Sequence, residues 1–102
     1  MIQVLAIITT HPGKRGDVLA AFNANRAAVL AEDGCLEYGA VVDADNLPPG
    51  WATFGPDTFV VVEKWASFDA LKAHAKAPHM AAYGAKTKEW VANRAIHVLQ
   101  PV

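Results

Sequence analysis

Residues 59–83 read FVVVEKWASFDALKAHAKAPHMAAY, and a change of rhythm inside this stretch decides the fold. From Asp57 to Trp65 the residues are mostly β-branched or aromatic, which predicts a strand. Ser67 follows as an N-cap with Asp69 in the first turn, opening a helix with Phe68, Leu71 and Ala75 inward. Pro78 breaks that helix, and a second helical segment runs from about His79 to Val91. A strand carrying one acid, Glu63, therefore leads into a short helix bearing His74, with His79 in the following turn. These groups lie close enough in sequence to share one pocket in a small domain.

Working outward, residues 2–10 are apolar on both alternating faces: Ile2, Val4, Ala6 and Ile8 on one, Leu5 and Ile7 on the other. Such a strand is covered on both sides. His11-Pro12-Gly13 ends it. Lys14 to Glu32 turns helical, with Val18, Phe22, Val29 and Leu30 on one side and Arg15, Asp17, Asn25 and Glu32 largely on others. Asp33-Gly34 stops the helix. Cys35 to Val42 alternates as a second strand, with Leu36, Tyr38, Ala40 and Val42 on one face. Asp43 to Pro56 is loop, and Arg94 to Gln100 forms the last strand. The order β-α-β-β-α-β is the ferredoxin-like split βαβ, an α+β fold whose helices cover one face of a four-stranded antiparallel sheet. The sheet's other face is also apolar, and a second copy of the chain is the economical cover.

Composition narrows the function classes. The 102 residues form one domain, 1–102, and 53% hydrophobic against 19% charged excludes a disordered chain. A net charge of −1 with scattered charges gives no electrostatic case for nucleic acid or an anionic membrane. No apolar run approaches the roughly 20 residues of a spanning helix. The N-terminus reads as a strand and not a signal peptide. Cys35 is alone, so a reducing cytoplasm is the simplest location. Glycine-rich nucleotide loops are missing. His74 and His79 are five apart with Pro78 between, unlike the i, i+4 pair of a zinc-binding helix, so no metal site is expected.

Trp65-Ala66-Ser67 followed by Leu71, His74, Pro78 and His79, together with Gly34-Cys35-Leu36-Glu37-Tyr38, resembles the antibiotic biosynthesis monooxygenase family. The resemblance implies a dimeric α+β barrel, with two chains pairing sheet against sheet and a substrate cavity between sheet and helices in each. It also implies oxygenation of an aromatic, quinol-type small molecule with O2 and no cofactor. A haem-degrading branch of the family fits less well, since residues 2–8 contain no asparagine and Tyr83 stands about where that branch has a histidine.

On this basis His74, Glu63 and Tyr83 are the candidate catalytic residues, and Trp65, Phe22, His79 and Trp51 the candidates for substrate binding. Imidazole both donates and accepts hydrogen bonds and titrates near neutrality, which suits a base or shuttle; His74 also reads as a half-exposed helix-end residue. Glu63 shares a face with Phe59, Val61 and Trp65, where a lone carboxylate is costly. It reads either as a cavity carboxylate or as a structural ion pair, with Arg94 or Lys64 across the dimer as partner, and Glu37 poses the same choice. Trp51 has no core to enter and covers either a ligand mouth or a partner subunit. Two other functions stay open: a small-metabolite isomerase using His74 and Glu63, with Lys72, Lys76 and Lys86 at its mouth, and a non-catalytic dimeric ligand-binding module.

Overall fold

The computed structural model describes residues 1–102. The elements run β1 (Ile2–Thr10), α1 (Arg15–Leu30), β2 (Cys35–Val41), β3 (Thr58–Trp65), α2 (Phe68–Ala75), α3 (Pro78–Thr87) and β4 (Val91–Leu99). They build one four-stranded sheet in the order β2-β3-β1-β4, antiparallel throughout. This is the expected α+β ferredoxin-like architecture, with its second helical crossover split in two. The split is local chemistry: a residue before proline is pushed out of the helical region, and Ala77 sits at φ −65°, ψ 139°. Pro78 then occupies the first turn of α3, where its missing N–H costs nothing.

The register sets the inner face. Val4 of β1 stands opposite Glu63, which stands opposite Tyr38; Ala6 stands opposite Val61, and Ile8 opposite Phe59. With Val18, Phe22 and Val29 of α1 and with Trp65, these residues form the buried core. Phe22 stacks on Tyr38 at 5.0 Å between ring centroids, adding about 0.5–1.5 kcal/mol to the burial itself. Leu30, expected on this face, is exposed because α1 ends beside it.

Two boundaries differ from expectation. A bulge shifts the register between Cys35 and Glu37, so Cys35 faces the core and Leu36 is exposed; strict alternation had them reversed. Strand β4 begins at Val91, three residues before the expected Arg94, because α3 already ends at Thr87. The loop between β2 and β3 is anchored at its base. Asp43 accepts from the backbone N–H groups of Phe54 (3.0 Å) and Gly55 (2.8 Å), which hold its carboxyl below the usual range. Arg15 donates to the Gly55 and Thr58 carbonyls.

The opposite face of the sheet is uncovered. Leu5, Val41 and Leu99 are exposed there, beside the half-buried Ile7 and Val62. No helix of the chain is long and apolar enough to cross a membrane.

Candidate active site

Between the inner sheet face and helices α2 and α3 lies a cavity of about 450 Å³, within the range of small-molecule sites. Its walls are mainly apolar, Val4, Ala6, Val61, Leu71 and Met80 among them. Six polar residues interrupt them: Tyr38, Glu63, Lys72, His74, Tyr83 and Arg94, and Lys72 is the one of the three mouth lysines that lines the cavity. Phe68 and Ala75 also face the cavity as expected, but at its edge, where both are exposed.

His74 stands in the last turn of α2, whose start is fixed by the predicted cap: the Ser67 hydroxyl accepts from the Ala70 N–H at 3.1 Å. Its ring lies against Trp65 at 4.6 Å, tilted 34°, and edge-on to Tyr38 at 5.5 Å. The side chain is buried, so His74 is not a half-exposed helix-end residue. Nδ1 lies 2.7 Å from Glu32 Oε2. Nε2 makes no hydrogen bond within the protein and is not fully buried, and His74 lines the cavity.

Helical rhythm places Glu32 off the apolar side of α1. It lies just past the helix end, and the turn through Gly34 swings it under α2. Gly34 is obligatory there: its φ is +82°, and a Cβ would meet Ala70 Cβ at 2.7 Å. The Gly34 carbonyl also accepts from the Ala66 N–H at 2.8 Å, tying this turn to the entry of α2. The same Oε2 of Glu32 lies 3.0 Å from His79 Nε2 in the first turn of α3. One carboxylate oxygen thus holds both histidines. The available clue was the place of Glu32 beside the helix stop, where the chain reverses.

Glu63 is buried, and its Oε1 accepts from Trp65 Nε1–H at 2.9 Å. Burial pushes its carboxyl above the usual range, with the Glu32 charge adding, while the Trp65 bond and His74 act against it. Its partner within the chain is therefore an indole and not a cation. Lys64 points to the other face, 3.5 Å from Glu37, and that half-exposed pair is structural. Burial pushes the phenol of Tyr83 up, opposed by Arg94, and its ring packs edge-on against Phe22 at 6.4 Å. Burial also pushes the Tyr38 phenol up, with Glu63 next in effect. The Cys35 thiol is raised by the same cause, which suits a packed side chain better than a nucleophile.

The structure thus brings together Glu63, His74, Tyr83 and Phe22 on one cavity. Trp65 is fully buried behind Glu63 and His74, touching both but outside the lining. His79 lies behind His74 and outside the lining, and Trp51 is 70% exposed on the 43–56 loop. Tyr38 and Arg94 line the cavity without having been singled out for it, although Tyr38 stands directly opposite Glu63 in the sheet.

A family model described as antibiotic biosynthesis monooxygenase matches residues 1–86. The chain is 38% identical over 103 residues to the probable quinol monooxygenase YgiN of Escherichia coli K12, an alignment covering 99% of this chain and 98% of YgiN. Among solved structures, Rv0793 from Mycobacterium tuberculosis is similar with a TM-score of 0.80 at 28% identity, covering 99% of this chain and 94% of that one. PA3566 from Pseudomonas aeruginosa gives 0.82 at 24% identity, covering 99% and 93%. The match extends from the first strand through both histidine-bearing helices, and the chain belongs to the antibiotic biosynthesis monooxygenase family.

Proposed function

We propose that this monooxygenase oxidises a quinol or similar phenol with O2 through the substrate's own anion, without a bound cofactor and with His74 as the base. One observation carries the reading: a buried imidazole lines a mainly apolar cavity with Nε2 unbonded in the protein while Glu32 holds Nδ1. That bond sets the tautomer, leaving the lone pair on Nε2 to take a phenolic proton. Water-poor walls strengthen the interaction.

The anion transfers one electron to O2, and the resulting semiquinone and superoxide combine at a ring carbon as a peroxide. O–O cleavage releases one oxygen as water, so quinol and O2 give a hydroxylated quinone and water. Two electrons come from the quinol and two from the C–H bond that becomes C–OH. Glu63, kept protonated to higher pH than an ordinary carboxyl, and Tyr83 supply hydrogen bonds to substrate oxygens, and Phe22 forms part of the wall. Trp65 holds Glu63 and His74 in place from behind.

A homodimer is the working form. Its support is the apolar outer sheet face that no helix of this chain covers, and the exposed Trp51, Phe54 and Leu47 on the long loop fit a partner contact better than the cavity mouth. The relative named a probable quinol monooxygenase supports the substrate class. Oxygen uptake against quinols and hydroxylated anthrones tests it: His74→Ala should lower the rate by about 10²–10⁴-fold, the usual contribution of a general base. Uptake insensitive to His74 would remove the histidine from the chemistry. Tight binding without uptake would move the protein to an isomerase or a binding module.

A further inference from the structure

We propose that Glu32, His74 and His79 form a binding site for a divalent transition-metal ion of the zinc type, and that occupancy withdraws His74 from the cavity chemistry. The three donors converge from separate elements: the turn after α1, the last turn of α2 and the first turn of α3. Glu32 Oε2, His74 Nδ1 and His79 Nε2 all lie within 4.8 Å of one another, and the oxygen is 2.7 and 3.0 Å from the two nitrogens. Spacing along the chain conceals this. Five residues separate the histidines, but Pro78 starts a new helix and turns His79 back toward His74, while the third donor lies some forty positions away.

Two imidazoles and one carboxylate are a donor set for zinc and its late first-row neighbours; magnesium and calcium prefer oxygen alone. Tetrahedral coordination with bonds of about 2.0–2.1 Å puts donor atoms about 3.3 Å apart. The rings must therefore draw back a few tenths of an ångström from the carboxylate and approach each other. Glu32 in its turn and the part-exposed His79 can make that shift, while His74 stays against Trp65. Neither Lys nor Arg pairs with Glu32, so its charge is available to an ion. The site opens on the His79 side, where the side chain is 29% exposed and a water can take the fourth position.

The consequence is a change of tautomer. Without metal, His74 carries its proton on Nδ1 toward Glu32 and offers the Nε2 lone pair to the cavity. A metal on Nδ1 displaces that proton, solvent carries it, and the neutral ring then holds its one proton on Nε2. The cavity then faces an N–H donor where it had a base. Metal binding does not depend on the oxygenase reading; the predicted loss of oxygenation does.

The test is titration of the full chain, freed of metal by chelation, with zinc chloride near pH 7.5 by calorimetry. Magnesium serves as the specificity control, and nitrogen-15 imidazole spectra read the tautomers. One zinc per chain is expected, without magnesium binding, weakened at least about 100-fold by Glu32→Gln or His79→Ala and unaffected by His97→Ala. Circular dichroism confirms that the variants fold. In the spectra, His74 should gain an Nε2 proton on zinc addition, a result that holds whatever the substrate proves to be. No stoichiometric binding below about 1 mM zinc, or binding that survives both ligand substitutions, overturns the site. Zinc bound there with the Nε2 proton absent overturns the withdrawal. Inhibition of oxygen uptake by zinc, reversed by chelation, extends the result to activity.

Discussion

At the scale of single residues, Glu63 gives a prediction with a definite sign. Its carboxyl is raised by burial, so between the ordinary value of 4.5 and the folded one the native state binds more protons than the unfolded chain. Stability therefore falls as pH rises through that window and keeps the deficit above it. Glu63→Gln preserves an acceptor for Trp65 Nε1 and removes the charge. Urea denaturation from pH 4 to pH 8 should show the variant losing less stability with rising pH than the wild type; an identical slope would mean that Glu63 is not destabilised by burial. Glu32→Gln should lower oxygenation about tenfold or more while leaving the fold intact, since the amide keeps the shape and loses the charge that supports His74. The anomalous acid and the helix histidine were legible because a carboxylate in an apolar row and an imidazole on an inward face are costly or useful wherever they occur. Glu32 was not, because a glutamate at a helix end looks the same in solvent as under a neighbouring helix.

At the scale of elements, the turn through Gly34 links chemistry to fold. It carries Glu32 on one side and enters β2 on the other, and it packs against α2 so closely that a methyl group is excluded. Gly34→Ala should cost about 1–3 kcal/mol in urea denaturation and loosen the His74–Glu32 contact, with the rate falling alongside stability. Ser67→Ala removes the cap of α2 and should cost about 1 kcal/mol. Element types and order were readable from alternation, helical rhythm and the punctuation by proline and glycine. Boundaries were less so. The bulge at Leu36 reverses which of Cys35 and Leu36 faces inward, and no side-chain pattern marks a position where the ladder itself slips.

At the scale of the whole molecule, the sheet is covered by helices on one side and left open on the other. An area bearing Leu5, Val41 and Leu99 is the sort of surface that associates. Sedimentation at micromolar concentration should give a homodimer, and Leu5→Glu should shift it toward monomer; a stable wild-type monomer would refute the pairing. The open apolar face was legible because β1 is apolar on both sides and the sequence holds no further element to lie on the second. The cavity was not legible in its dimensions, since its volume depends on how far α2 and α3 stand from β4, a distance set by three-dimensional packing.

The decisive measurement is oxygen consumption by the purified, chelator-treated protein with a reduced naphthoquinol, comparing wild type with His74→Ala. The chemistry proposed here predicts one O2 consumed per quinol, a hydroxylated quinone as product, and a loss of about 10²-fold or more in the variant. Equal rates in the two proteins, or simple quinone with hydrogen peroxide as the only products, would contradict it.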